Sequence, residues 1–308
     1  MNKVFIDGSA GTTGLRIRER LSGRKDIEPV ILDEKYRKDL SARQDALNSS
    51  DISILCLPDD AAREAVALTE NPAAVLIDTS TAHRTDERFV YGFPEIAGNR
   101  EKIKSAKRIA NPGCHASGFI SLVAPLAEQG ILNKDAPLSA FSLTDYSGGG
   151  KKMIADYEAP NRDMLLEAPR MYGLNQSHKH LPEMTKVCGL THAPAFCPIV
   201  APYYSGMEVV VTLFRENYNG SIADIKEVYR NYYGQNGLVH FEDNSETFLS
   251  ACVLSSYDDM LLTVCGNEDR VLLVSRFDNL GKGASGSAIQ NMNISLGLDE
   301  RLGLKLKY

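Results

Sequence analysis

The first fifteen residues place a glycine-rich turn between an apolar run and a helical segment. The run is residues 4–6, and the turn that follows has glycines at positions 8, 11 and 14. Glycines let the backbone approach a pyrophosphate closely, and the next helix directs the positive end of its dipole toward it. Three glycines alone also occur in ordinary tight turns, but their position at the first strand-to-helix junction favours dinucleotide binding. The residues predicted to contact that cofactor are Gly8, Ala10, Gly11, Thr12, Thr13 and Gly14.

The first eighty residues alternate short apolar runs with helical segments. The runs are residues 4–6, 29–32, 52–57 and 74–77, and a helix is predicted over residues 61–68 with Asp59 or Asp60 as its N-cap. Short continuous apolar strands joined by helices are typical of a parallel sheet that is covered on both faces. The sequence therefore predicts an α/β, Rossmann-type, doubly wound parallel sheet domain.

The middle of the chain has longer β-rich runs, at residues 140–143, 209–214, 261–264 and 271–274. Between them, residues 221–233 form an amphipathic helical pattern, with Ser221 as a plausible N-cap and Asp224 three residues later. This pattern predicts a second, α+β domain with a largely antiparallel or mixed sheet. The helical spacing of Ala288, Met292 and Leu296 predicts a closing helix near the end of the chain.

Composition excludes several classes of protein. The chain has 308 residues, with 34 Lys and Arg against 40 Asp and Glu, so its net charge of −6 disfavours bulk attraction to nucleic acid. No stretch approaches the roughly 18 apolar residues that a membrane span needs, and the amino terminus has no secretory pattern. The six cysteines include no CxxC pair and are too sparse for a disulfide scaffold. We therefore expect a two-domain cytoplasmic enzyme with free thiols.

The segment Asn-Pro-Gly-Cys-His at residues 111–115 points to nucleophilic chemistry. Pro112 and Gly113 form a turn, and the small and apolar residues that follow predict a helix, so Cys114 is expected at a helix amino terminus. The helix dipole there favours the thiolate form of cysteine, which is the nucleophile. Most cysteines are simply buried small side chains, and that is the expectation for three others in apolar runs: Cys56, Cys252 and Cys265.

A nucleophilic cysteine needs an acid/base partner. The segment Ser-His-Lys-His-Leu-Pro-Glu at residues 177–183 brings two imidazoles, a cation and a carboxylate together. His178, His180 and Glu183 could alternatively bind a metal, but three donors without further clustered ligands are weak evidence for zinc, so no metal is expected. An exposed polar loop is the remaining interpretation.

The end of the second predicted strand bears on the choice of cofactor. Asp33 stands where a carboxylate would hold a ribose 2′-hydroxyl, which favours NAD. The cations that follow at Lys35, Arg37 and Lys38 could instead bind the 2′-phosphate of NADP. The residues by themselves leave both cofactors open.

Two further segments follow predicted strands. Residues 78–84, Asp-Thr-Ser-Thr-Ala-His-Arg, come at the carboxyl end of the sheet, where ligands bind, and Arg84 can hold a phosphate with two hydrogen bonds. Its alternative is an ordinary surface arginine. Residues 146–151, Tyr-Ser-Gly-Gly-Gly-Lys, form a second glycine-rich turn that suits close backbone approach, although by itself it is only a loop.

Taken together, these segments resemble the N-acetyl-γ-glutamyl-phosphate reductases, in their short-chain (type 2) branch, within the wider aspartate-semialdehyde dehydrogenase superfamily. The resemblance covers nearly the whole chain and is carried, in the family's order, by GSAGTTGL, DTSTAHR, YGFPE, NPGCHASG, YSGGGK, HKHLPE and DNLGKGASGSAIQNMN. It implies NADPH-dependent reduction of N-acetyl-γ-glutamyl phosphate to N-acetylglutamate semialdehyde and phosphate, in arginine biosynthesis. It also implies a discontinuous cofactor domain, residues 1–113 with 280–308, around a catalytic and oligomerisation domain of residues 114–279.

The resemblance also assigns roles to individual residues. Cys114 would be the nucleophile and His180 the acid/base. Substrate contacts would come from Glu183, from Arg84 at the phosphate, and from Ser147 and Gly148. Near the nicotinamide the resemblance places Gly281, Gly283, Ser285, Gln290 and Asn291, and Ser80 also belongs to the expected cofactor site. NADP is the expected cofactor, with NAD less favoured, and the expected assembly is a homodimer or homotetramer.

Two alternatives remain at this point. Aspartate-semialdehyde dehydrogenase shares the cysteine and histidine chemistry and differs in substrate. A catalytically silent dinucleotide-binding regulator would need both the cysteine segment and the histidine segment to be accidental.

Overall fold

A computed structural model describes residues 1–234 and 237–308, and these residues divide into two compact units. The first unit comprises residues 1–94, 98–113 and 284–304, so a segment near the end of the chain returns to it. The second unit comprises residues 95–97, 114–283 and 305–308.

The first unit is built on a sheet of six strands that are all parallel, as the pattern of short apolar runs predicts. The strand order is β2-β1-β3-β4-β6-β5. Its elements are β1 (Asn2–Asp7), α1 (Thr12–Leu21), β2 (Ile27–Val30), α2 (Leu40–Ser49), β3 (Ile52–Leu55), α3 (Asp59–Leu68), β4 (Val75–Asp78), β5 (Val90–Tyr91), α4 (Asn99–Ser105), β6 (Arg108–Ala110) and α9 (Gly286–Ser295).

The first sheet is covered on both faces, which explains its continuous apolar strands. In β1, Val4 and Ile6 belong to one buried cluster, which also contains residues of α1 and of the closing helix α9. The intervening Phe5 belongs to a second cluster, with Leu47 of α2 and Ala65 of α3. Because successive side chains in a strand point to opposite faces, every position of such a strand is apolar.

Two predicted boundaries in this unit are wrong. Strand β2 ends at Val30 and not at residue 32. Helix α3 begins at Asp59, with Pro58 as an N-cap that lacks a side-chain hydrogen bond, so neither aspartate caps it. The Asp59 carboxylate instead accepts hydrogen bonds from the Thr81 backbone N–H (2.9 Å) and hydroxyl (2.5 Å), and it thereby fixes the loop after β4.

The second unit contains a mixed sheet of seven strands in the order β11-β12-β13-β10-β7-β9-β8. Most neighbours are antiparallel, whereas β11 with β12 and β7 with β9 are parallel. Its elements are α5 (Cys114–Glu128), β7 (Ser139–Thr144), α6 (Gly150–Glu158), β8 (Arg170–Met171), α7 (Leu181–Cys188), β9 (Ala195–Val200), β10 (Met207–Phe214), α8 (Ile222–Tyr233), β11 (Val239–Phe241), β12 (Met260–Asn267) and β13 (Arg270–Phe277).

Helix α5 is the central helix of the second unit. It is buried on all sides from His115 to Ala127, and it packs against β10 and β13. The approach to β10 is so close that a Cβ atom at Gly118 would lie 2.5 Å from a methyl carbon of Val209. The first residue of this helix is therefore attached to a rigidly packed element.

Helix α8 follows its predicted pattern. Ser221 is the N-cap, and its hydroxyl and the Asp224 carboxylate form the reciprocal hydrogen bonds of a capping box.

Within the part of the chain that the structure describes, no helix combines the length and apolar character needed to cross a membrane.

Candidate active site

Cys114 is the first residue of α5, as the sequence predicts, and its side chain is partly buried. It lines a cavity of about 600 Å³ in the second unit. Because the backbone N–H groups of a first helical turn point away from the helix, the positive end of the dipole of α5 lies at this sulfur and favours its thiolate. The cavity gives a substrate access to the nucleophile.

The other thiols have less suitable surroundings. Burial raises the pKa of Cys56 to about 12 and raises the pKa values of Cys188 and Cys265 as well, which disfavours their thiolates. The expectation that Cys252 is buried is wrong, because its side chain is exposed in the segment between β11 and β12. None of these four cysteines lines the cavity beside Cys114.

His178 and His180 line the same cavity as Cys114. His180 is the N-cap residue of α7, and it is buried. Its backbone N–H donates to Nδ1 of His178 (3.2 Å), and the two ring centroids are 4.7 Å apart. The predicted acid/base residue is therefore held in position by a helix terminus and by its histidine neighbour.

His115 completes a group of three imidazoles, with its ring 5.6 Å from that of His180 and 5.5 Å from that of His178. Its Nδ1 atom is 2.6 Å from the Ser142 hydroxyl, and its Nε2 atom is 2.7 Å from the Tyr172 hydroxyl. Burial, with a smaller contribution from His178, lowers the pKa of His115 to about 3. This imidazole is therefore neutral at physiological pH and unsuited to acid/base work.

Tyr172 is a cavity residue that the sequence analysis missed. Burial, followed by the charges of Cys114 and Asp145, raises its pKa, so its hydroxyl remains protonated. No motif or periodic spacing in the sequence distinguishes Tyr172 from other tyrosines. Its place in the site depends on a contact with His115 that forms only in the folded chain.

Asp145 organises the glycine-rich turn after β7. Its Oδ1 atom accepts hydrogen bonds from the Ser147 hydroxyl (2.5 Å) and the Gly148 backbone N–H (3.1 Å), and its Oδ2 atom accepts from the Gly206 N–H (3.1 Å). Burial raises the pKa of Asp145 to about 6. Of the predicted substrate residues, Gly148 lines the cavity, whereas the Ser147 hydroxyl is turned to Asp145. A Cβ atom at Gly148 would lie 2.1 Å from Nδ2 of Asn279, so a larger residue there would have to displace the Asn279 side chain.

A single π-helical turn, Gly281–Ser285, precedes α9 and begins in the second unit. The Gly281 N–H donates to the Asp278 carboxylate (2.7 Å), and a Cβ atom at Gly283 would lie 3.0 Å from Cβ of Cys114. Within this turn, the Lys282 ammonium is fully buried and lies 2.8 Å from both carboxylate oxygens of Glu95. Gly283 thus belongs to the surroundings of the nucleophile.

Like Ser147, the predicted substrate residues Glu183 and Arg84 do not line the cavity. Glu183 is buried on the first turn of α7, three residues after His180. Arg84 belongs to the first unit, where its Nε atom donates to the Asn111 carbonyl (3.1 Å) and its Nη2 atom to the Thr79 carbonyl (3.0 Å). These bonds hold the guanidinium against the end of the sheet.

A second cavity, of about 250 Å³, lies in the first unit at the glycine-rich turn. Gly8 has a φ angle of +84°, and a Cβ atom there would lie 2.2 Å from the Cys56 carbonyl oxygen. A Cβ atom at Gly11 would meet only the Gly8 carbonyl, at 3.5 Å, so the turn is open on that side. The cavity is lined by predicted cofactor residues and by two of the cations after β2: Gly8, Ala10, Gly11, Arg37 and Lys38.

The remaining predicted cofactor residues lie elsewhere. Thr12, Thr13 and Gly14 form the start of α1. Ser80 is buried and donates from its hydroxyl to the Asp78 carboxylate (2.8 Å). Asn291 is buried and donates to the Gly92 carbonyl (2.8 Å) and to the Asn111 side chain (3.1 Å).

The alternative that His178, His180 and Glu183 bind a metal finds no support. Among residues 1–234 and 237–308, no group of three or more His, Cys, Asp or Glu side chains is arranged to hold a metal ion.

Comparison with protein families gives two matches that together cover most of the chain. Residues 3–106 match the semialdehyde dehydrogenase NAD binding domain. Residues 114–279 match the semialdehyde dehydrogenase dimerisation domain.

Relatives along the full length have a more specific name. The N-acetyl-gamma-glutamyl-phosphate reductase 2 of Nostoc sp. is 44% identical over 318 residues, covering 98% of this chain and 99% of the relative. The N-acetyl-gamma-glutamyl-phosphate reductase of Brucella ovis is 44% identical over 306 residues, covering 96% and 99%.

Solved structures agree in fold at much lower identity. The aspartate semialdehyde dehydrogenase II of Vibrio cholerae, complexed with ASA, has a TM-score of 0.72 at 14% identity and covers 96% of this chain and 98% of that one. The aspartate semialdehyde dehydrogenase of Candida albicans, with NADP, has a TM-score of 0.69 at 14% identity and covers 98% and 99%.

Proposed function

Because this chain belongs to the N-acetyl-γ-glutamyl-phosphate reductase family, we propose that it reduces N-acetyl-γ-glutamyl phosphate to N-acetylglutamate semialdehyde, with release of phosphate, in arginine biosynthesis. The observation that carries the proposal is the presence of Cys114, at a helix amino terminus, and His180 in the lining of one cavity. A thiolate beside an imidazole is the arrangement that acyl transfer to an enzyme requires.

The chemistry follows from these two side chains. The Cys114 thiolate attacks the acyl phosphate carbon, the carbon–oxygen bond to phosphate breaks, and a thioester forms. A thioester is electrophilic enough to accept a hydride, whereas a free carboxylate is not. After reduction, His180 assists the collapse of the thiohemiacetal by proton transfer, which regenerates the thiolate and releases the aldehyde.

Other residues hold the substrate in this proposal. Gly148 borders the reacting group, and Ser147 supports that turn through Asp145. Glu183 remains a proposed substrate-positioning residue although it is buried outside the cavity lining, on the first turn of the helix that begins after His180. Arg84, fixed by the two backbone carbonyls that it binds, would stabilise the negative charge of the departing phosphate.

The cavity at the glycine-rich turn fits a nicotinamide dinucleotide. Gly8, Ala10 and Gly11 would face the pyrophosphate at the start of α1, and Gly283 and Asn291 remain proposed contacts nearer the nicotinamide. When bound, the reduced cofactor supplies the hydride that reduces the thioester.

For the cofactor we propose NADPH over NADH, because Arg37 and Lys38 line this cavity and can bind a 2′-phosphate. Replacing both cations in Arg37→Ser/Lys38→Ser is expected to lower kcat/KM for NADPH by about 10- to 100-fold and to leave kcat/KM for NADH nearly unchanged. Lys35→Ser is the matched control, because Lys35 follows the same strand but does not line the cavity. Steady-state kinetics with both cofactors test this, and a wild-type preference for NADH would contradict it.

The thioester itself can be tested in the reverse direction. With N-acetylglutamate semialdehyde and NADP⁺ but no phosphate, we expect about one NADPH per site and then a stall, because the thioester awaits phosphate; adding phosphate or arsenate should restart turnover. Cys114→Ser should retain cofactor binding and lose the burst, since a serine alkoxide is scarcely available near pH 7. Sustained turnover at the full rate without phosphate would contradict the mechanism, and so would a normal burst in Cys114→Ser.

The two alternatives are distinguished by one assay. Oxidation of aspartate semialdehyde in preference to N-acetylglutamate semialdehyde would indicate the dehydrogenase whose solved structures share this fold. Cofactor binding without turnover of either aldehyde would indicate a silent regulator.

We also propose that the chain forms a homodimer or homotetramer through the sheet of the second unit, the part that matches a dimerisation domain. The side chains of Phe141 on β7 and Leu272 on β13 are 41% and 39% exposed, although both strands are central in the sheet. An apolar face on a central strand favours burial against another protein surface.

A further inference from the structure

The cavity beside Cys114 contains two cations for which the reaction described above has no use. Its lining includes Arg170 and Lys179, together with the acidic Asp145. The proposed substrate carries an α-carboxylate besides its acyl phosphate, and a carboxylate binds arginine or lysine through charge-assisted hydrogen bonds. Both cations are exposed and therefore accessible to a ligand in the cavity. If the chain has the proposed function, one of these two cations is expected to recognise that carboxylate.

Arg170 lines a part of the cavity that lies away from Cys114. It pairs with Val200 in the antiparallel ladder of β8 and β9, and Tyr172, two residues further along, also lines the cavity. The Tyr172 hydroxyl reaches the ring of His115, the residue next to Cys114. Two residues of extended strand correspond to about 7 Å between Cα atoms, and side chains two residues apart leave the strand on the same face. Arg170 and Tyr172 therefore enter the cavity side by side, with Tyr172 at the end where its hydroxyl meets His115.

This position suits the length of the substrate. Four carbon–carbon bonds of about 1.5 Å separate the acyl carbon from the α-carboxylate, a span of roughly 5 Å when the chain is extended. A charge-assisted hydrogen bond adds about 2.8 Å. This length is of the same order as the spacing of the cavity residues, and Cys114 and Arg170 line the same cavity, so a substrate held at Cys114 can extend toward Arg170.

The guanidinium of Arg170 is also oriented before any substrate binds. Its Nη2 atom donates to the Tyr157 hydroxyl (3.0 Å), and its central carbon lies 5.4 Å from the centre of that ring. Tyr157 is buried and stacks on Tyr146 at 4.7 Å, so the support is rigid. An arginine fork fixed at one nitrogen can offer its remaining N–H groups to a carboxylate with little loss of side-chain entropy.

Lys179 is less suited to this role. It stands between His178 and His180 in the sequence, at the end of the cavity where the acyl group reacts, and an ammonium cannot bind a carboxylate through a planar fork. We propose that Arg170 binds the α-carboxylate of the substrate and thereby selects amino-acid-derived acyl phosphates over uncharged ones.

The test compares two aldehydes in the oxidative direction, with NADP⁺ and phosphate. One is N-acetylglutamate semialdehyde, and the other is 4-acetamidobutanal, which has hydrogen in place of the carboxylate. In Arg170→Gln we expect kcat/KM for the first aldehyde to fall by about 10- to 100-fold, mainly through KM, whereas kcat/KM for the second should change less than about 2-fold. Arg170→Lys should recover part of the loss. Arg162→Gln is the matched control, because the Arg162 guanidinium donates to the backbone carbonyl of the same Tyr157 and Arg162 does not line the cavity.

The other outcomes are separable. Equal losses with both aldehydes would show that Arg170 shapes the cavity and does not bind the carboxylate, and a raised KM for phosphate with an unchanged KM for aldehyde would place the phosphate there. Either result overturns the proposal, as does the same selective loss in Lys179→Gln without one in Arg170→Gln. Failure of the wild-type enzyme to oxidise N-acetylglutamate semialdehyde would instead contradict the proposed function.

Discussion

At the scale of single residues, the three imidazoles near Cys114 are chemically distinct. His115 is held between two hydroxyl groups and stays neutral because burial lowers its pKa to about 3. The Nδ1 atom of His178 accepts a hydrogen bond from the backbone N–H of His180, so this atom has a structural role. His180 is the imidazole for which we propose proton transfer, since it stands at the start of α7 in the lining of the cavity.

We therefore predict unequal losses of activity on substitution. His180→Ala should lower kcat by about 10²- to 10⁴-fold, the range for a general acid/base, while His178→Ala should cost far less. His192→Ala, at an exposed position outside the cavity, should behave like the wild type. Single-turnover hydride transfer measures the difference. Equal losses at positions 178 and 180, or loss of a bound metal on mutation of either, would point to a pair of ligands.

The sequence predicts the parts of the site that residues close together in the chain form, and it does not predict contacts between residues that are far apart in the chain. The turn before Cys114 and the helix after it are local, so their signals stand next to each other in the chain. That Cys114 and His180 line the same cavity follows from no spacing in the sequence, and only the resemblance to a family implied that they act together. Asp145, Asn279 and Tyr172 were missed because hydrogen bonds and contacts formed in the folded chain bring them to the cavity.

At the scale of elements, local periodicity predicted the apolar strands and helix α8 with its Ser221 cap, whereas the cap predicted for α3 was wrong. It could not predict the π-helical turn Gly281–Ser285, which depends on two sets of contacts. The Gly281 N–H donates a hydrogen bond to the Asp278 carboxylate, and Lys282 forms a buried ion pair with Glu95. Glu95 Oε1 also accepts a hydrogen bond from the Leu238 N–H (3.1 Å). The pair therefore ties this turn, and with it Gly283 beside Cys114, to a second segment of the same unit.

We predict that replacing one member of the Lys282–Glu95 pair destabilises the protein more than replacing both members by apolar residues. Lys282→Met or Glu95→Gln should each lower the free energy of unfolding by about 3–5 kcal/mol, because an uncompensated buried charge or donor remains. The double variant Lys282→Met/Glu95→Leu should lose less than either single variant, because it leaves no buried charge without its partner. Urea unfolding measures all three, with Arg230→Met as a control, since the exposed Arg230–Asp243 pair is worth less than about 1 kcal/mol. Additive losses would show that the two side chains stabilise the turn independently.

At the scale of the whole molecule, the sheets of the two units differ in how many of their faces the chain covers. The first sheet is parallel and covered on both faces, as its continuous apolar strands predicted. In the second sheet, β10 alternates between buried Val209, Val211 and Leu213 and the partly exposed residues between them. The strands on either side of it present Phe141, opposite Val210, and Leu272, opposite Thr212. The sequence marks these strands as β-rich, but it cannot say that one face of them is left uncovered by the chain itself.

We predict that this face holds the oligomer together. In Phe141→Lys/Leu272→Lys, two ammonium groups would have to be desolvated on association at a cost of roughly several kcal/mol per ion, so the variant should dissociate at micromolar concentration. Light scattering after size-exclusion chromatography should then change from a multiple of the chain mass to the single-chain value of 33.8 kDa. Phe248→Lys is the matched control, because Phe248 is 86% exposed but lies in the segment between β11 and β12, outside the sheet. A wild-type protein of single-chain mass would contradict the proposed assembly, and a double variant that keeps the wild-type mass would place the interface on another surface.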